Sequence, residues 1–248
     1  MELDQRTELE NDNGGASNRL LAALSRRDFA LVKPYLVPRI LERGQVLFEP
    51  GEDVTMTYFP CLGTMGSLLV VSGDGREVEA ATIGPEGAIG GIVSAGHKPA
   101  YGRAVVQIGG PSYCVPTARI EDAKDRSATF RDLFSRYADV LIAQMMQSVA
   151  CNALHPMEAR CSRWLLSTQD RVGQNVIPLT HESLAEMLGV RRTTVTAVVK
   201  ALQSRGLIRS MRGRVEILHR AKMEETACEC YHAVETHFKR LLPKVDKT

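Results

Sequence analysis

The stretch from Ala128 to Leu154 contains neither glycine nor proline, and a proline stands on either side of it at 116 and 156. An uninterrupted run of that kind predicts one helix of about seven turns, roughly 40 Å long at 1.5 Å per residue. Phe134, Tyr137, Leu141, Met145 and Ser148 fall along one stripe with Asn152, flanked by Val140, Gln144 and Cys151. A stripe of this width can serve two faces, one against its own domain and one against the same helix of a second copy. A lone helix joining two domains is hard to cover otherwise, so these five residues are expected to form the axis of a homodimer.

The chain before this helix has a β texture. Short runs rich in β-branched and aromatic residues, at Gln45–Phe48, Met56–Phe59, Ser67–Val71, Val78–Ile83, Ala104–Ile108 and Ser112–Val115, alternate with turn residues. That spacing predicts an antiparallel barrel or sandwich, and Ser72-Gly73-Asp74-Gly75 predicts a hairpin. Ahead of it, Leu20, Leu21 and Leu24 suggest a short helix, continued by Phe29 to Leu36 with Asp28 as cap. Residues 1–18 are polar, acidic and without periodicity, and are expected to be a disordered tail.

The chain after the helix carries the most informative pattern. His155-Pro156 ends one helix and starts another, up to Val172. Thr180 then caps a short helix with Leu184, Ala185 and Leu188 on its apolar face. Gly189 stands where the chain must turn sharply. A second helix opens at Arg191 or Arg192 and points Val195, Val198, Val199 and Leu202 inward. Short helix, glycine turn and second helix is the arrangement that lays a recognition helix in the major groove. Its outward N-terminal residues are Arg191, Arg192, Thr193, Thr194, Thr196 and Ala197; all of these but Ala197, together with Thr180 and Lys200, are candidate DNA contacts. An arginine there can reach guanine O6 and N7, and a threonine can meet a thymine methyl or a phosphate. Gly206–Arg209 and Val215–Leu218 read as a wing hairpin, with Arg212 and Arg214 in its turn.

Charge supports this reading. The 248 residues carry a formal net charge of only +2, but residues 156–220 hold eleven Lys and Arg against five acids. Between Gly189 and Arg214 there is no acid at all. A local basic field in a near-neutral chain suits a polyanion. No run reaches the eighteen or so apolar residues of a membrane span, and the polar N-terminus lacks a signal-peptide core, so a cytoplasmic protein without membrane contact is expected. No phosphate loop, nucleophile–base pair or acid pair has catalytic spacing, so an enzyme is not expected.

With these elements in place, the chain resembles a CRP/FNR family transcriptional regulator from about Asn18 to Leu218. The resemblance rests on Gly44–Phe48 and Gly51, Tyr58-Phe59, Gly63, the long helix and the winged helix-turn-helix. It implies an α+β fold: a cyclic-nucleotide-binding-like β-roll (double-stranded β-helix), a dimerisation helix and a winged helix-turn-helix that contacts RNA polymerase. It also implies double-stranded DNA as partner, with a palindromic operator. The family's second-helix pattern of Arg, Glu, Thr, Val and Arg meets Arg192, Thr193, Thr194, Val195 and Ala197. Two charged base-reading positions have thus changed, and the operator should differ accordingly. The boundaries implied are a sensor over 19–125, a dimerisation helix over 126–155, a DNA-binding domain over 156–220 and a helical extension over 221–248.

For an effector, the resemblance points to Glu86, Gly90, Gly91 and Arg103. Cyclic-nucleotide-binding members hold ribose with a glutamate that is Gly91 here, and phosphate with an arginine from which Arg103 is offset. Without both charged anchors a buried cyclic phosphate would be poorly held, so no cofactor is predicted. Iron–sulfur members use N-terminal cysteines, and this chain has none before Cys61. The six cysteines are scattered and expected to be reduced. Cys228, Cys230 and His232 are the candidate metal ligands, since 228 and 232 are four apart on a predicted helix. Two alternatives to a plain DNA-binding regulator therefore stay open. One is a metal- or thiol-responsive regulator using that helix, and the other is a cyclic-nucleotide-dependent one.

Overall fold

The computed structural model describes residues 17–93 and 96–242. Residues 1–16 of the expected tail lie outside the described residues, but Asn18 belongs to the fold. It is fully buried and all of its amide hydrogen bonds are used. Oδ1 accepts from the Leu20 and Leu21 N–H groups, capping helix α1 (Arg19–Ala22), while Nδ2 donates to the carbonyls of Pro60 and Gly87 at 2.8 and 2.9 Å. Helix α2 (Arg26–Val32) is capped by Ser25, whose Oγ accepts from the Asp28 N–H. Asp28 is therefore not the cap. Its carboxylate instead accepts from Ser127 and Thr129, both at 2.6 Å, pinning α2 to the start of the long helix.

Seven strands follow. Strands β1 (Val37–Leu41), β7 (Gly110–Pro116) and β3 (Met56–Pro60) form one antiparallel sheet in the order β1-β7-β3. Strands β2 (Val46–Phe48), β6 (Arg103–Ile108), β4 (Met65–Val71) and β5 (Glu77–Ile83) form the other, in the order β2-β6-β4-β5. The predicted runs match β2 to β7. Strand β1 was not predicted, because Pro38 and the preceding helical pattern mask it. Proline is tolerated there because β1 is an edge strand, paired only with β7. The hairpin at Ser72–Gly75 forms as expected, with the Ser72 N–H on the Arg76 carbonyl and Gly75 at φ +82°.

Helix α3 (Thr117–Arg126) leads into α4 (Ala128–Leu154), which spans the predicted glycine- and proline-free run. Its stripe faces its own barrel. Phe130, Leu133, Phe134 and Tyr137 pack with Phe59, Tyr113 and Val115, and the Tyr137 hydroxyl donates to the Ala88 carbonyl at 3.0 Å. Leu141 and Met145 continue the contact against Ala81, Ile83, Ile89 and Ala104. Phe134, Tyr137 and Leu141 are 3%, 1% and 8% exposed, and Ser148 lines a cavity within the chain. Phe134, Tyr137 and Leu141 are thus internal core, while Met145 and Ser148 are half-buried, because the barrel covers most of the stripe. The apolar face left outside is displaced around the helix: Ile142, Met146 and Val149 are 50%, 67% and 71% exposed.

The remaining elements form the C-terminal part: α5 (Met157–Val172), β8 (Val176–Ile177), α6 (His181–Leu188), α7 (Arg192–Ser204), β9 (Ile208–Met211), β10 (Arg214–Ile217), α8 (Arg220–Thr226) and α9 (Cys230–Leu241). The wing is a three-stranded sheet in the order β8-β10-β9, one strand more than expected. Leu165, Leu166, Leu184, Val195, Val199, Leu202 and Val215 are buried together. The same cluster takes in Met65, Leu69 and Ile108 of the barrel, so one core crosses from the barrel to the C-terminal domain. Each such side chain, fully buried, contributes about 1.5–3 kcal/mol.

Candidate DNA-binding surface

The geometry of the helix pair follows from its local sequence. Thr180 Oγ1 accepts from the Ser183 N–H at 3.1 Å and starts α6. Gly189 ends it at φ +65°, ψ +38°, a left-handed conformation that costs a side-chain-bearing residue about 1–2 kcal/mol. The Val190 N–H returns to the Ala185 carbonyl, and α7 then leaves in a new direction. Buried Val195, Val199 and Leu202 hold α7 on α6 and α5.

This packing leaves the first turn of α7 outside. Arg191, Arg192, Thr193, Thr194 and Lys200 are all exposed, as are Arg212 and Arg214 at the wing turn. Among the described residues, Arg191, Lys200, Arg212 and Arg214 form no ion pair. Arg192 Nε lies 3.6 Å from Glu182 Oε2, with both side chains more than half exposed, so phosphate or a base edge can compete for it. Four uncommitted cations and the free N–H groups at a helix start make an anion-binding face.

Two predicted contacts face inward. Thr196 is half-buried and its hydroxyl lies 3.2 Å from His181 Nδ1, while His181 Nε2 lies 3.1 Å from Ser210 Oγ. Burial, helped by the nearby Arg192 charge, holds the His181 ring below its ordinary pKa. His181 thus ties α6, α7 and β9 together as a neutral bridge, and Thr196 serves that bridge. Thr180 is half-buried and acts as the helix cap. Sequence reasoning missed His181, since only the fold brings residues 181, 196 and 210 together.

The expected effector residues do not converge. Glu86 is 4% exposed and its Oε1 accepts from Arg171 Nε of α5 at 2.7 Å. Arg103 is held by two carboxylates, Glu49 at 2.8 Å and Glu77. Gly90 and Gly91 are closely covered: a Cβ at Gly91 would sit 3.0 Å from the Phe134 ring, and one at Gly90 would sit 2.7 Å from the Met56 carbonyl oxygen. These four positions therefore do not line one pocket. A cavity of about 590 Å³, to which Glu86 alone of the four contributes, lies between β5, α4, α5 and α9, lined also by Glu79, Gln144, Arg163, Trp164, Tyr231 and Phe238. His232 is also displaced from its expected role. It is well exposed, with Nδ1 3.9 Å from Glu235, whereas Cys228 and Cys230 are buried.

Residues 159–226 match the Crp-like helix-turn-helix domain. Over those residues the chain is similar to the Crp-like helix-turn-helix family. Solved structures agree over most of the chain. FixK2 from Bradyrhizobium japonicum superposes with a TM-score of 0.66 at 16% identity, over 78% of this chain and 98% of that one. A regulator of the Crp/Fnr family from Eubacterium rectale superposes at 0.62 with 18% identity, over 88% and 96%. A CRP family regulator from Thermus thermophilus gives 0.64 with 18% identity, over 76% and 96%. No curated protein sequence matches. The chain therefore has the CRP/FNR fold, with the Crp-like domain joined to a β-roll by one long helix. No helix among the described residues is long and apolar enough to cross a membrane.

Proposed function

We propose that this chain is a DNA-binding transcription regulator of the CRP/FNR type. In this reading it binds a palindromic operator as a homodimer in the cytoplasm and acts through RNA polymerase, without catalysing a reaction. The observation that carries the reading is the exposed face of the Crp-like domain. There Arg191, Lys200, Arg212 and Arg214 stand uncommitted around a helix start, and no acid lies between residues 189 and 214.

The homodimer is supported by α4. Ile142, Met146, Val149 and Ala153 are exposed at spacings of four, three and four residues, the repeat of a two-helix seam. Against an effector of cyclic-nucleotide type stand the replacement of the ribose-binding acid by Gly91 and the capture of Arg103 by Glu49 and Glu77. Binding of mixed-sequence duplex DNA across a salt series tests the polyanion part of the reading. The logarithm of affinity should fall linearly with the logarithm of salt, by about 0.9 per phosphate contacted. A folded protein with no measurable affinity at low salt would reject it.

A further inference from the structure

At the C-terminal end of α4, four ligand atoms from two distant parts of the chain meet. They are the Sγ atoms of Cys151, Cys228 and Cys230 and a ring nitrogen of His155, all within 4.8 Å of one another. Cys151 is fully buried in the last turn of α4, and His155 closes that helix, its N–H on the Cys151 carbonyl. Cys228 and Cys230 stand where the chain enters α9, 7% and 1% exposed. Cys151 Sγ lies 3.5 Å from Cys228 Sγ, and Cys230 Sγ lies 3.4 Å from His155 Nδ1.

We propose that Cys151, His155, Cys228 and Cys230 form a tetrahedral zinc site that clamps α9 to the end of the dimerisation helix. Metal–ligand bonds of 2.0–2.3 Å require ligand atoms about 3.3–3.8 Å apart, close to the two separations given above. The ring orientation fits a ligand. His155 turns Nδ1 toward the sulfurs and sets Nε2 3.1 Å from Glu229 Oε1, the carboxylate support that fixes a ligating tautomer. Gln147 Nε2 donates to Cys230 Sγ at 3.0 Å, as an amide does to a thiolate. Three thiolates and a dication carry one negative charge, and the guanidinium groups of Arg160 and Arg163 are near enough to act on Cys151. Buried cysteines are often simply small apolar side chains, but a histidine nitrogen held among them by a carboxylate serves no packing purpose. An odd number of thiols also leaves one over from any disulfide.

All four positions are protein ligands, so the site is structural in type. It lies at the His155-Pro156 junction between α4 and the Crp-like domain, and occupancy would fix that junction. The proposal does not depend on DNA binding, because its test reads metal.

Full-length protein is purified in reductant, incubated with Zn²⁺ and desalted. Metal per protomer is then measured, and Co²⁺ is substituted for its optical spectrum. One zinc per protomer and a tetrahedral thiolate-rich cobalt spectrum are expected. Cys228→Ser/Cys230→Ser should hold none, and the barrel variant Cys114→Ala should hold one. His155→Gln and Glu229→Gln, both near the surface and mild for folding, should weaken affinity at least tenfold. Zinc-free folded protein in reductant, zinc retained by the double variant, or iron with acid-labile sulfide in its place would each overturn the proposal.

Discussion

Arg171 of α5 donates from Nε to Glu86 Oε1 at 2.7 Å, and both side chains are nearly buried where the β-roll meets the Crp-like domain. The Gly84 N–H also points to Glu86 Oε1, and Arg171 reaches the Thr82 and Ser167 carbonyls. Glu86 is thus one half of a buried pair joining the β-roll to the Crp-like domain. Burial opposes its charge, yet the Arg171 guanidinium outweighs that and holds its pKa below the ordinary 4.5.

Removing one partner should therefore cost more than removing both. Glu86→Gln is expected to destabilise by about 3–5 kcal/mol, since Arg171 is left buried and uncompensated. A joint Glu86→Gln/Arg171→Met change should recover part of that loss in chemical unfolding. The pH sign follows from the depressed folded pKa. The stabilisation is present above the unfolded value of about 4.5 and is lost as pH falls through the lower folded value.

Glu79 should respond in the opposite direction. It is half-buried in the cavity wall, and its desolvation there raises its pKa against the hydrogen bonds from Ser67 Oγ and Trp164 Nε1 at 2.8 and 3.0 Å. A raised carboxylate favours the folded state at low pH and loses that advantage as pH rises through the folded value. Glu79→Gln keeps the Trp164 bond without a charge, so its stability above neutral pH should equal or exceed wild type. Marked destabilisation at pH 8 would show that the charge is needed.

The outward seam of α4 gives a prediction on assembly. Met146→Glu/Val149→Glu should convert a sedimenting dimer to a folded monomer, because like charges would then face each other across the two-fold axis. Tyr137→Phe removes only the bond to the Ala88 carbonyl, at a cost of about 1 kcal/mol, and should leave the dimer intact.

Within the DNA face, two kinds of arginine should separate. Arg192→Ala is expected to lose about 1–3 kcal/mol on the preferred sequence and much less on random DNA. Arg212→Ala should weaken both alike and lower the salt slope by about one. Glu182→Gln, which frees Arg192 from its ion pair, should tighten binding modestly.

Much of this architecture is legible in the sequence because its signals are local. The absence of glycine and proline marks the helical stretch that holds α4, and Thr180, Gly189 and the inward valines mark α6 and α7. What was not legible depends on distant partners. Periodicity finds the stripe through Phe134 and Leu141 but cannot say whether a barrel or a second copy covers it. Spacing pairs Cys228 with His232, whereas the fold brings Cys228 to Cys151, 77 positions away. Glu86 and Arg103 offer the carboxylate and guanidinium that a ribose-and-phosphate site uses, and only the structure shows each paired within the chain.

Selection of bound sequences from random duplex DNA, using the purified full-length protein with no added ligand, tests the central claim most directly. The account predicts enrichment of a two-fold symmetric motif with half-sites about one helical turn apart, lost in Arg192→Ala. A folded dimer that enriches no motif, or one that enriches the same motif after Arg192→Ala, would contradict it.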